Sequence, residues 1–189
     1  KRGIEIFTSA VVDKAEVKGK KVQVTFIHEG QTKTLSADKV LSAIGVTGNI
    51  DGFGLEQLGI EIFKGHIKVN KQTYETNVKN IHAIGDVIGA PWLAHVASAE
   101  GIHCVAKIKG LNPPDINYDN IPGCTYCQPQ VASIGLTEVK AKEKGYEIKV
   151  GKFPFMASGK AFAIGEREGF VKMIFDAKYG EILGAHIIG

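Results

Sequence analysis

Asp86 sits at an unexpected place for its residue type. In HAIGDVIGAPWLAHVASAEG, residues 82–101, an apolar run stops on Gly85-Asp86, crosses a Gly/Pro segment and restarts as a helix opening at Leu93-Ala94-His95. In open α/β sheets, ligands bind outside the carboxyl ends of the strands. An aspartate there accepts hydrogen bonds from ligand hydroxyls, such as those of a ribityl chain or a ribose, and Gly85 lets the backbone come close. A helix starting near Trp92 turns its free N–H groups, and roughly half a positive charge, toward the same crevice. Spacing alone leaves a plainer account open, in which Asp86 caps its own loop and the helix only packs.

The other reactive side chains carry weaker arguments. Cys124-Thr125-Tyr126-Cys127 is a C-x-x-C, the spacing of a redox pair or of half a zinc site. A zinc site needs two more ligands, and the sequence holds no second C-x-x-C and no closely spaced His pair. A thioredoxin-like pair opens a helix, whereas this one enters QPQVASI, which reads as turn and strand. The expectation is two incidental thiols and no metal site. Cys104 falls on the apolar face of a helix and reads as core. His82 reads as half-buried structure, His28 and His103 as surface, and His186 as a strand residue rather than a base. His95 alone has a site argument. Ser158-Gly159-Lys160, within SGKAFAIG, lacks the glycine spacing of a phosphate loop and reads as a hairpin or loop.

The elements that must position these residues are partly legible. GIEIFTSAVV and KKVQVTFI read as strands, with Val22, Val24 and Phe26 alternating with polar residues. HEGQ is a turn with Gly30 at a positive φ, and TKTLSA is the return strand. DKVLSAIG (38–45) and NIHAIGD (80–86) are nearly continuous apolar runs that predict strands buried on both faces, as in a parallel sheet. Between them, 46–80 reads as loop with a helical turn. Leu93, Val96, Ala97, Cys104, Val105 and Ile108 predict the apolar face of a helix over 92–109, stopped by Gly110. LNPPDINYDNIPG (111–123) reads as a linker at a domain boundary. Beyond it, PQVASIGL, a short helix from Thr137 to near Gly145, EIKVGKFP, GFVKMIFD and GEILGAHIIG predict an antiparallel sheet with a helix. DAKYG forms the hairpin turn between the last two strands.

Composition narrows the function class. The 189 residues are 44% apolar and 23% charged, an ordinary globular balance. A net charge of +3, with Arg2 and Arg167 as the only arginines, argues against a nucleic-acid partner. No apolar run approaches the roughly 20 residues of a membrane span, and the N-terminal residues lack the apolar core of a signal peptide. Three cysteines at this length point to a reducing compartment, hence a cytoplasmic location. The chain starts without Met and stops on an apolar run, so it reads as part of something longer.

AIGD followed by LAH and AEG resembles the C-terminal part of the flavin domain of the pyridine nucleotide–disulfide oxidoreductases. ADKVLSAIG is similar to the strand that closes that family's NAD domain. YCQPQVASIGLTE and GKFPFMASGKAFAIGEREGFVKMIFD resemble its interface domain. Within the family, LAH at 93–95 and the GKFPF segment are most similar to the branch that oxidises dihydrolipoamide.

The resemblance implies an α/β chain in three parts. These are the end of a Rossmann-like NAD domain (1–46), the return segment of the FAD domain (47–117), and an α+β interface domain with an antiparallel sheet, incomplete in this chain (118–189). It implies a homodimer formed through 118–189, with FAD and NAD as cofactors. Electrons would pass from dihydrolipoamide through a redox disulfide and FAD to NAD+. The protein partners would be the lipoyl domains of 2-oxoacid dehydrogenase or glycine cleavage complexes. By matching position, Asp86 would bond the ribityl chain. Trp92, Leu93, Ala94 and His95 would lie at the pyrimidine edge of the flavin, where the helix dipole favours the reduced form. Gly45 would lie beside NAD.

The chain departs from the family pattern at several points. VTGN follows Gly45 where the family often has Arg, and Cys127-Gln128-Pro129-Gln130 replaces Thr-His-Pro-Glu. The Gly-rich dinucleotide fingerprints, the redox cysteine pair and the C-terminal His-Glu pair are not in this stretch, which is not expected to catalyse alone. The alternatives are a non-catalytic dimerisation or binding module, and another family member such as glutathione or mercuric reductase.

Overall fold

The computed structural model describes residues 3–189. They fall into two compact units, one ending at Val46 and the other running Thr47–Gly189. In the first, β1 (Val11–Lys18), β2 (Lys21–His28) and β3 (Gln31–Ala37) form an antiparallel meander. Alternation in β2 buries Phe26, whose ring meets Phe7 at 5.1 Å between centroids. Glu29 and Gly30 take φ of 53° and 74° between β2 and β3. Two consecutive positive φ values give a turn whose twist matches that of the flanking strands.

Two expectations fail here. The first strand begins at Val11 rather than Gly3. Residues 38–45 form no strand, and Leu41 and Ile44 are 90% and 96% exposed. An apolar run becomes a buried strand only where neighbouring strands take up its N–H and C=O groups, and among the described residues none pairs with it.

The second unit opens with a small hairpin, β4 (Ile62–Phe63) and β5 (His66–Ile67). It then builds a core from Ile60, Ile67, Tyr74, Ile88 and Cys104. Cys104 is buried as expected, and burial raises its thiol pKa. Residues 80–86 do not form the expected buried strand. They make one bridge, Glu75 to His82, before a single 3-10 turn over Gly85–Ile88.

Helix α1 (Ala94–Ile108) follows. It ends with Gly110 at φ 80°, the Gly110 N–H on the Lys107 carbonyl and the Leu111 N–H on the Ala106 carbonyl, a Schellman stop that the glycine makes possible. Its buried face is Val96, Glu100, His103 and Cys104, whereas Val105 and Ile108 are exposed. The predicted stripe is therefore rotated. His103 is a core residue, its Nε2 donating to the Gln72 carbonyl at 3.1 Å. His28 is also not a surface group, since its side chain is 15% exposed and packs edge-on against Phe7.

The remainder is an antiparallel sheet in the order β6 (Gly123–Thr125), β7 (Val131–Gly135), β10 (Ile182–Ile188), β9 (Phe170–Asp176), β8 (Ile148–Pro154). Helix α2 (Glu138–Glu143) starts where Thr137 accepts the Lys140 N–H at 3.2 Å and stops at Gly145. Thr137→Ala is expected to cost about 1 kcal/mol of stability in denaturant titration. A change below about 0.3 kcal/mol would show that the cap contributes nothing.

SGKAFAIG is a helix rather than a loop, α3 (Gly159–Ile164). The Ser158 hydroxyl caps the Ala161 N–H, and Gly165 ends the helix in the left-handed region. The Ser158 cap and the left-handed Gly165 stop outweigh the glycine at its start. All five strands of this sheet, like the meander, pair antiparallel, and no parallel pairing occurs among the described residues.

Candidate functional site

The turn that carries Asp86 lies tightly against α1. A Cβ built on Gly85 would stand 3.2 Å from Ala97 Cβ, and one built on Gly101 would stand 3.2 Å from Ile84 Cδ1. Gly85 has φ +74°, so a side chain there would meet both strain and a neighbour. The turn closes with the Gly89 N–H on the Asp86 carbonyl at 3.2 Å. Asp86 is exposed, and no side chain caps the turn. Among the described residues its carboxylate enters no hydrogen bond or ion pair. It does not act as the loop cap that spacing alone allowed.

Beneath the turn is a polar network that sequence reasoning missed. The Gly85 N–H donates to Glu100 Oε2 at 2.7 Å, and the Tyr118 hydroxyl donates to Glu100 Oε1 at 2.6 Å. Because the Tyr118 proton is committed there, the Tyr74 hydroxyl donates to Tyr118 Oη at 3.0 Å. Glu100 is 2% exposed and Tyr74 1%. Burial, reinforced by the bond to Glu100, pushes the Tyr118 hydroxyl far above its ordinary pKa, and burial raises Tyr74 as well. Both remain protonated donors across the neutral range. The only sequence cue was a glutamate on the inner face of an amphipathic helix.

At the start of α1, Leu93 is extended and provides no side-chain cap. Its carbonyl takes the Val96 and Ala97 N–H groups at 3.0 and 3.1 Å. The N–H groups of Ala94 and His95 are thus left at the helix mouth. The His95 ring bonds the Pro122 carbonyl through Nε2 at 3.0 Å. A carbonyl only accepts, so the Nε2 position carries the proton. Trp92 is 42% exposed and tilts over His66 with centroids 5.9 Å apart. A mainly apolar cleft of ≈ 720 Å³ runs from Leu93, Ala94 and His95 to Cys124, Tyr126 and Ile134.

The remaining candidates lie on other elements. Gly45 belongs to the first unit, at φ +130° with open space around its Cα. Cys124 and Cys127 are exposed free thiols on β6 and the turn after it. The Cys127 thiol faces the Pro129 carbonyl at 3.0 Å. His186 lies in β10 with Nε2 on the Leu136 carbonyl at 3.0 Å, a structural bond. Among the described residues no three His, Cys, Asp or Glu side chains gather to hold a metal, and no helix is long and apolar enough to cross a membrane.

Comparison with known proteins covers both units. The model of the pyridine nucleotide-disulphide oxidoreductases matches residues 1–101, and the model of that family's dimerisation domain matches 121–189. Dihydrolipoyl dehydrogenases of Rhizobium etli and Bacillus subtilis are 52% and 46% identical to the chain across its whole length. The chain spans about 40% of the length of these curated relatives. The crystal structure of LpdA from Mycobacterium tuberculosis superposes with a TM-score of 0.84 at 24% identity, covering 100% of this chain and 40% of that one. The flavoprotein disulfide reductase RclA from Escherichia coli gives 0.80 at 26% identity, covering 94% and 40%.

Proposed function

Because the chain belongs to the pyridine nucleotide–disulphide oxidoreductase family, we propose that it is part of a dihydrolipoyl dehydrogenase, the flavoprotein that reoxidises dihydrolipoamide at the expense of NAD+. Family membership implies FAD and NAD(H) as cofactors. Residues 1–46 then close the NAD domain, 47–117 return to the FAD domain and 118–189 form the dimer interface. The protein partners are a second copy of the chain and lipoyl domains of 2-oxoacid dehydrogenase or glycine cleavage complexes. A cytoplasmic location and a part in redox homeostasis belong to the same reading, supported by three unpaired thiols.

The observation that carries the site assignment is the Asp86 carboxylate, exposed and without a partner among the described residues, on a turn held against the helix whose first N–H groups have no acceptor among those residues. The donor set fits FAD: a hydroxyl acceptor in Asp86, a close backbone approach at Gly85, and N–H donors at Ala94 and His95. Bound FAD supplies the two-electron relay between a dithiol and NAD+. Within this chain, Asp86 holds the ribityl chain, and Trp92 and Leu93 cover the ring edge against water. The Ala94 and His95 N–H groups, with the helix dipole, stabilise negative charge arriving at that edge. Gly45, at positive φ with no neighbour, allows NAD to approach the backbone.

The test is dihydrolipoamide-dependent formation of NADH by a full-length protein carrying this chain. A protein that holds FAD yet forms no NADH from dihydrolipoamide and NAD+, or that turns over glutathione in its place, would overturn the substrate assignment. Cys124 and Cys127 sit on β6 and its following turn, and Cys124 lines the cleft at the start of α1. Replacing both by serine is expected to leave dithiol-driven flavin reduction intact, read as bleaching of the visible flavin band. Loss of that bleaching would make them the working pair.

A further inference from the structure

We propose that Glu100 is a positioning residue for FAD, holding the Asp86 turn at a fixed place relative to the N-terminus of α1; this rests on the assignment of Asp86 and α1 to the flavin. Glu100 is buried, and among the described residues no Lys, Arg or His forms an ion pair with it. Burying a carboxylate is strongly unfavourable unless every oxygen is satisfied. Here one oxygen takes the Gly85 N–H at 2.7 Å and the other the Tyr118 hydroxyl at 2.6 Å. Both are short, charge-assisted bonds. An apolar side chain would fill the same helix position without that cost, so the bonds themselves indicate the use of the residue.

The bond to Gly85 is made at the residue immediately before Asp86. Glu100 lies six residues into α1 from Ala94, about 9 Å along the axis. The turn and the helix start are thereby joined through one rigid segment. The tight fit of Gly85 on Ala97 and of Ile84 on Gly101 closes the same joint from both sides. A ligand that reaches from the Asp86 carboxylate to the Ala94 and His95 N–H groups needs those two points held at a set separation before it binds. Tyr118, with Tyr74 behind it, extends the tie to the 111–123 segment. Changes in that segment therefore reach the Asp86 turn through two hydrogen bonds, Tyr118 to Glu100 and Gly85 to Glu100.

The test compares Glu100→Gln, Tyr118→Phe, Asp86→Ala and the Glu100→Gln/Asp86→Ala double variant in the full-length protein carrying this chain. Two readouts are needed: amide hydrogen exchange at Gly85, and the dissociation constant of FAD. Glu100→Gln keeps the volume but retains only one acceptor oxygen. Exchange at Gly85 in the apoprotein should quicken by about tenfold in Glu100→Gln and by less in Tyr118→Phe. FAD binding should weaken about tenfold in Glu100→Gln alone, but about twofold or less when Asp86 is already alanine. Unchanged exchange at Gly85 overturns the proposal whatever the flavin does. Equal losses of FAD with and without Asp86 also overturn it, because they describe a general structural role. If exchange quickens while Asp86→Ala binds FAD like the wild type, the assignment of Asp86 to FAD is what fails, and the positioning of FAD by Glu100 fails with it.

Discussion

Replacing Asp86 by alanine in the full-length protein is expected to weaken FAD binding by roughly tenfold to a hundredfold with the fold intact. The magnitude follows from a hydrogen bond to a charged acceptor, about 1.5–3 kcal/mol. The fold survives because the Asp86 carboxylate has no partner among the described residues and is exposed, so its loss leaves nothing buried and unsatisfied. Asp86→Asn keeps one acceptor oxygen and should fall between the two. Equilibrium dialysis with the flavin absorbance as readout measures all three. Equal FAD affinity in the alanine variant and the wild type would return Asp86 to an ordinary loop residue.

The largest expected effect on stability is at Ile174. It is fully buried on β9, opposite Gly184 of β10 on one side and Val150 of β8 on the other. Gly184 has no side chain to move into a vacated space. A Cβ added to Gly184 would run into the Leu136 carbonyl oxygen, so the backbone there is already in close contact. Ile174→Ala therefore leaves a cavity that cannot collapse, and a cost of about 2–5 kcal/mol is expected. Ile174→Val should cost about 0.5–1.5 kcal/mol. Urea unfolding checks both, through a lower midpoint at an unchanged slope. An alanine variant within about 1 kcal/mol of wild type would show that the sheet repacks around the site.

The parts legible in the sequence are those whose signals are local. Helices α1 and α2 declare their ends because Gly110 and Gly145 supply left-handed stops, and Thr137 supplies the start of the second. The strands β7 to β10 show as short apolar-rich runs between turn residues, the last two joined by the DAKYG turn. The failures need information from far along the chain. Residues 38–45 and 80–86 are apolar enough for buried strands, but pairing decides, and only His82 finds a bridge partner. The rotation of the α1 stripe has the same origin. His103 turns inward because the Gln72 carbonyl, 31 residues away, accepts its N–H, and Glu100 because Tyr118, 18 residues on, donates to it. A polar residue on a helix reads as solvent-facing until such a partner is known.

Asp86 stands out in the sequence as a candidate through the Gly-Asp step between an apolar run and a helix. The residue that anchors its turn was not, because the anchor acts through a backbone N–H, which leaves no trace in residue type.

The most direct measurement for the account as a whole is a crystal structure of the FAD-loaded full-length protein. An Asp86 carboxylate oxygen is expected about 2.5–3.0 Å from a ribityl hydroxyl, with the pyrimidine edge of the flavin at the Ala94 and His95 N–H groups. A ribityl chain bonded elsewhere, with Asp86 facing solvent and the start of α1 away from the flavin, would contradict it.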